Sequence, residues 1–263
     1  MTDLRLRRLG PHLAALELER DGPVPDPEQV DAEARAAFAD GVHRVEAEVP
    51  VDRPELRRAL QRAGMRPEGI SRGRGSGDGH GGSRDVTRLA RLADDPPPGT
   101  RAAFLGVLNA ALPTKRLIAQ GLVRDEAGAV LLCELVYKTE WDLPGGVVDP
   151  RESPAHTVLR EIEEELAVRL PPESARLAAI NWLPPYRQWD DALLCVYDLG
   201  VVPDIAERAV LEPAELRALH WRPPEELDGH VAPYVARHVR AVLAADPAAG
   251  PLYLEDGLPP AGR

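Results

Sequence analysis

Residues 145–168, GGVVDPRESPAHTVLREIEEELAV, constrain this chain more than any other stretch. A glycine pair leads through a polar turn into a segment of helical period. Ser153 is a good N-cap and Pro154 suits the first helical position. Ala155, Leu159, Ile162 and Leu166 recur at i, i+4, i+7 and i+11, which predicts one buried face. Glu161, Glu164 and Glu165 crowd another face at i, i+3 and i+4, where like charges cost a helix roughly 0.2–0.5 kcal/mol per pair. Arg160 can relieve part of that through its i+4 partner Glu164. Two readings of this face stand side by side: a solvated acidic surface, or a hard-cation site with oxygen ligands for Mg²⁺ or Mn²⁺.

The surroundings predict a mixed sheet. RLIAQGLVR and AVLLCELVY read as strands joined by the turn DEAG, and TEWDLPGGVV reads as loop with a Pro-Gly-Gly turn. LAAINWLP, ALLCVYDLGVV and LRALHWR read as later strands, and PYVARHVRAVLAA as a closing helix. Strands before and after one central helix predict a mixed α/β or α+β unit. Cys133 and Cys195 sit inside apolar runs and read as buried strand residues of a reducing compartment. Ahead of this unit, PEQVDAEARAAFAD and PELRRALQRAG read as helices, with Gly64 ending the second. LRLRRL and HRVEAEV read as strands, the latter with Val45, Ala47 and Val49 on one face. Residues 71–84, with six glycines, read as a mobile loop, and DDPPPG (94–99) as a linker. The expected units are therefore 1–97 and 98–263, with RAAFLGVLNAAL a short helix opening the second.

Composition narrows the partners. The 263 residues carry a net charge of −11, of which residues 1–100 hold −2 and residues 101–263 hold −9. Such a chain has no sequence-independent attraction for nucleic acid or anionic membrane. An arginine-glycine stretch can bind RNA, but this one is short and the chain acidic. No apolar run approaches the ~18 residues a membrane helix needs, and LAALELE near the start is too short and charged for a signal peptide. The expectation is a cytoplasmic protein with a small-molecule partner; the sequence leaves its oligomeric state open.

Gly146, five residues, Glu152, seven residues, then Arg160-Glu161-Ile162-Glu163-Glu164-Glu165 resembles the Nudix box. Every charged position is met at the family's spacing. Ala167 stands where the family has glycine. The resemblance, extending over roughly 113–245, implies a Nudix-like mixed β-sheet sandwiched by helices. It also implies divalent-cation-dependent hydrolysis of a nucleoside diphosphate linked to another moiety, or a similar diphosphate. Carried over by position, Glu161, Glu164, Glu165 and the carbonyl of Gly146 would be metal ligands. Glu152 and Arg160 would orient the box by a salt bridge. Glu164 is the candidate general base, with Glu212 or Glu215 as bases outside the box. Trp141 and Asp142, and Tyr186 and Arg187 with Trp189, Asp190 and Asp191 nearby, are candidates to line the substrate site or simply to pack loops. His156 reads as a surface residue of the first helical turn.

Residues 41–73 and 84–95 resemble the second half of a GNAT acetyltransferase, with Met65 where an aromatic is usual. A GNAT protein cradles a pyrophosphate on a glycine-rich turn opening a helix, yet PVPDPEQVDAE holds no glycine. The first unit is thus expected to be a small α/β GNAT-like fragment without acetyl transfer. Two other functions stay open: a non-catalytic nucleotide-sensing Nudix module, and an acetyltransferase with an accessory Nudix domain.

Overall fold

Long-range contacts divide the chain at Pro113–Thr114. The computed structural model describes residues 4–18, 22–75 and 84–260. In the first unit, β1 (Arg5–Arg8), β2 (Leu13–Glu17), β3 (Arg44–Pro50), β4 (Arg66–Gly75) and β5 (Arg84–Leu92) form a sheet in the order β1-β2-β3-β5-β4. Only β2 and β3 run parallel, and α1 (Pro27–Ala39) connects them. The Asp26 carboxylate caps α1 by accepting from the Glu28 amide at 3.2 Å. Val45, Ala47 and Val49 do turn inward, against Leu56 and Leu60 of α2 (Pro54–Arg62), Met65 and Leu89. Gly64 ends α2 at φ +86°.

Two expectations need correction here. Residues 71–75 are not loop but the end of β4, which pairs with β5 back to Gly75–Arg84; residues 76–83 of that segment lie outside the described residues. The expected boundary at 97/98 also differs. DDPPPG is a turn within the first unit, and α3 (Arg101–Ala111) packs on β4 of that unit. Proline-rich composition marks a break in regular structure, and such a break need not separate units.

The second unit is a seven-stranded mixed sheet. Its strands are β6 (Arg116–Arg124), β7 (Val130–Leu135), β8 (Gly145–Val147), β9 (Arg176–Leu183), β10 (Ala192–Val201), β11 (Leu216–Arg222) and β12 (Leu252–Glu255). The order is β11-β7-β6-β10-β9-β12, with β8 attached to β6. Helix α4 (Pro154–Leu166) covers one face and α6 (Pro233–Ala244) the other, while α5 (Ile205–Arg208) is a single turn. Alternation along β7 explains its unbroken apolar run. Leu131, Cys133 and Leu135 join the cluster under α4, and Val130 and Leu132 join the cluster under α6. The sandwich expected for this part is what forms. The free cysteines Cys133 and Cys195 are both buried in it. Two pieces escaped the sequence reading. The Pro-Gly-Gly loop contains β8, and β12 adds to the far edge in parallel with β9.

The buried face of α4 is centred one residue from expectation. Val158, Ile162 and Leu166 are fully buried, while Ala155 and Leu159 only flank the core. Ser153 caps the helix, accepting from the His156 amide at 3.3 Å. At the other end Ala167 is left-handed, at φ 55° and ψ 25°, and its amide donates to the Glu163 carbonyl at 3.0 Å. A Cβ is strained there by roughly 1 kcal/mol. Ala167→Gly should therefore raise the melting temperature by about 2–4 °C. A fall in calorimetry would show that the helix continues through Ala167 in solution.

Candidate active site

Pairing of β8 with β6 fixes the first half of the site. Gly145 and Gly146 lie opposite Gln120 and Ala119. Gly145 sits at φ +141°, and a Cβ there would collide with the Ala119 carbonyl; a Cβ on Gly146 would overlap the Glu161 carboxylate. Gly145 must therefore be glycine for β8 to lie this close to β6, and a side chain at position 146 would push the Glu161 carboxylate aside. The Gly145 amide donates to Glu165 Oε2 at 3.2 Å, so the backbone of β8 contacts two of the box carboxylates.

The second half is held by Glu152. Its carboxylate accepts from Arg160 Nε at 2.9 Å and Nη2 at 3.0 Å, a two-pronged ion pair. The Thr157 hydroxyl donates to it at 2.7 Å, and His156 Nδ1 lies 2.7 Å away. These bonds, Arg160 foremost, hold the Glu152 carboxyl far below the usual carboxylate range. His156 is exposed, as expected, but it faces this ion pair. Glu152 and Arg160 thus form the salt bridge the sequence pattern implies.

The three box glutamates are not equivalent. Glu165 is buried, and desolvation raises its pKa to about 8, with the charges of Glu161, Glu215 and Asp142 adding to the rise. Glu161 is half-buried and also shifted upward, chiefly by desolvation, against the attraction of Arg160 Nη1 at 3.1 Å. Glu164 is drawn outward: it is exposed and paired to Arg160 Nη1 at 2.7 Å. The structure therefore brings Glu161, Glu165 and the two glycines together and leaves Glu164 at the rim. Among the described residues, no three histidine, cysteine or carboxylate side chains gather closely enough to enclose an ion. Glu161 and Glu165 are nonetheless hard oxygen donors in mutual repulsion, the condition a divalent cation relieves.

A family model for the NUDIX domain matches residues 114–244. Residues 114–244 are a NUDIX domain. A curated relative, an uncharacterised Nudix hydrolase of Rhodococcus erythropolis, is 30% identical over 93 residues, covering 34% of this chain and 49% of that protein. The chain thus spans about half the length of that relative. Among solved structures, the MutT protein of Methanosarcina mazei Go1 is 23% identical, covering 50% of this chain and 96% of the other at a TM-score of 0.41. The MutT NUDIX hydrolase of Burkholderia pseudomallei is 24% identical, covering 50% and 97% at the same TM-score.

Around the box of this NUDIX domain, Gln120 and Lys138 are site neighbours that the sequence reading missed, whereas Asp142 and Glu215 are among its candidates. Asp142 is buried, accepts from Gln120 Nε2 at 2.6 Å and from Lys138 Nζ at 2.9 Å, and adds negative charge behind Glu165. Gln120 belongs to β6 and Lys138 to the loop after β7, so only tertiary structure joins them. Glu215, a possible base outside the box in the sequence, extends its charge to both Glu161 and Glu165. Glu212 instead binds the Glu165 carbonyl through its amide at 3.1 Å, and its carboxylate accepts from the Ala214 amide at 3.2 Å.

The substrate-lining candidates separate. The Trp141 ring stacks on His220 at 3.7 Å and on His230 at 4.5 Å, with the Arg222 guanidinium 5.3 Å from its centroid. Its faces are engaged by the protein itself. Tyr186 and Trp189 exchange backbone hydrogen bonds across a tight turn in which Arg187 and Gln188 are both left-handed. Arg187 pairs with Glu140 at 2.6 Å and so joins this turn to the loop before Trp141. The Arg116 guanidinium lies 4.6 Å from the Trp189 ring centroid.

The raised Glu165 pKa has a consequence for the metal-free protein. A carboxyl shifted from 4.5 to about 8 stabilises the fold fully below its unfolded pKa. That contribution is lost as pH rises through 4.5 to 8. In EDTA, Glu165→Gln and wild type should melt together at about pH 4, below the unfolded pKa, and the variant should melt increasingly higher as pH approaches 8. A temperature gap independent of pH would contradict the shift.

Proposed function

We propose that the chain hydrolyses a phosphoanhydride bond in a nucleoside diphosphate derivative or a similar diphosphate compound. The observation that supports this most is the desolvated pair Glu161 and Glu165, seated against Gly145 and Gly146 at the family's spacing. Glu161, Glu165 and the Gly146 carbonyl would hold Mg²⁺ or Mn²⁺, joined by Glu164 once Arg160 releases it. Such a cation, when bound, supplies charge neutralisation for the phosphates and acidifies a water.

The remaining work belongs to the chain's own groups. The Glu152–Arg160 pair keeps α4 in register with β8. Asp142 holds negative potential behind Glu165 and is itself oriented by Gln120 and Lys138. As proton acceptor, Glu215 is better supported than Glu164. It is exposed beside the pair, whereas the Glu164 carboxylate is engaged by Arg160, which weakens it as a base. Tyr186 and Arg187 would line the substrate, and the packed Trp141 would support their turn through Glu140.

The first unit is read as a GNAT-like remnant, supported by the single parallel pair β2–β3 bridged by α1. The α1 N-terminus is unsuited to a pyrophosphate. Asp26 already takes one free amide, Pro27 removes another, and Glu28 adds negative charge. Acetyl-coenzyme A should therefore give no heat of binding in calorimetry; a micromolar dissociation constant abolished by changes in this unit would overturn the remnant reading.

The hydrolase reading is tested by phosphate release with Mg²⁺ or Mn²⁺. The compounds are nucleoside triphosphates, dinucleoside polyphosphates, nucleotide sugars, ADP-ribose, NADH and coenzyme A. At least one should turn over, and Glu165→Gln should slow it by roughly two orders of magnitude with an unchanged circular dichroism spectrum. Tight binding of a nucleotide without turnover of any compound would favour the sensor reading instead.

A further inference from the structure

Within the first unit, helix α2 and residues 98–108 bound an open cavity of about 710 Å³. That volume lies inside the range of roughly 300–1,000 Å³ typical of small-molecule sites. Its walls are largely apolar, built from Pro98, Ala103, Phe104, Val107 and Leu108. Helix α3 supplies most of this surface yet buries only Ala103, leaving Phe104 of the cavity wall 61% exposed. An aromatic ring left in water at a concave surface marks a place where something apolar sits.

The charge at this cavity is one-sided. Among the described residues, Arg58, Arg62 and Arg101 line it and no carboxylate does. Other arginines of the unit have found acids: Arg44 with Glu68, Arg66 with Asp95, Arg91 with Asp31, Arg8 with Asp40. The acid nearest in sequence, Glu55, feels the charge of Arg58 but is hydrogen-bonded to Arg53. In a chain of net charge −11, three guanidiniums around one apolar hollow leave an anionic complement to be supplied from outside.

We propose that this cavity binds a small amphipathic organic anion, with an apolar chain or ring on Phe104, Val107 and Leu108 and a carboxylate or phosphate head on the three arginines. The walls offer few hydrogen-bonding groups, Gln61 and Thr100 among them, and the Thr100 hydroxyl already caps α3 at the Ala103 amide. An apolar body is therefore favoured over a polar one such as a sugar or base. The site is separate from the box and stands whether or not the hydrolase reading does.

The test uses the full-length protein and dodecanoate, kept below its micelle concentration, in isothermal titration. One saturable site is expected, with dodecyltrimethylammonium, the cation of equal chain length, binding at least about tenfold more weakly. Arg58→Glu with Arg62→Glu should weaken dodecanoate by about tenfold or more. Phe104→Ala, at an exposed position that leaves the fold intact, should weaken both probes alike. Absence of a saturable site, equal affinity for the two probes, or an affinity unmoved by the double charge reversal would each overturn the proposal.

Discussion

Arg160 holds together a helix whose own charges push it apart. Four glutamates, Glu161 and Glu163 to Glu165, share a stretch of α4, and two of them are wholly or partly desolvated, an arrangement that opposes folding. The same guanidinium grips Glu152 with two nitrogens and reaches Glu161 and Glu164 with the third. It thereby fixes the polar turn before the helix to the helix's second turn. With that turn fixed, β8 lies against β6 and both glycines meet the carboxylates. Breaking the Glu152 contact would leave α4 with its repulsion and without its tether.

Much of this was readable in the residues because it is local. N-cap, proline and apolar period predict α4, and the resemblance to the Nudix box implies the pairing of Glu152 with Arg160. Period-two alternation predicts β3, and the apolar run around Cys133 predicts a buried strand at β7. What stayed hidden is non-local. Asp142 reads equally as site lining or loop packing until β6 brings Gln120 to it. Glu164 looks equivalent to Glu165 until burial separates them. β8 is too short to carry a period, and its existence depends on Ala119 lying opposite Gly146. The unit boundary was misplaced because the three prolines suggest a linker, whereas α3 beyond them packs on β4.

The first unit shows how an acidic chain distributes its cations. Several of its arginines are spent on ion pairs across strands and helices, as between Arg44 and Glu68. Among the described residues, Arg58, Arg62 and Arg101 of the α2–α3 cavity enter no ion pair, and composition alone cannot show where such arginines gather.

The parallel pairing of β6 with β10 also bears on how the second unit forms. Arg116 lies in register with Ala192, 76 positions later, and β8 and α4 lie in the intervening chain. During synthesis the box helix is therefore complete well before the strand that closes the sheet beside it. Until β10 arrives, Ile162 and Leu166 lack Cys195 and Leu199 as neighbours in the finished cluster. Loop closure over that distance makes assembly slow relative to a hairpin-connected sheet. The nascent chain spends that interval with β6 open on the edge that β10 later covers, so the yield of folded protein in a cell depends on synthesis rate and chaperone supply as well as on final stability.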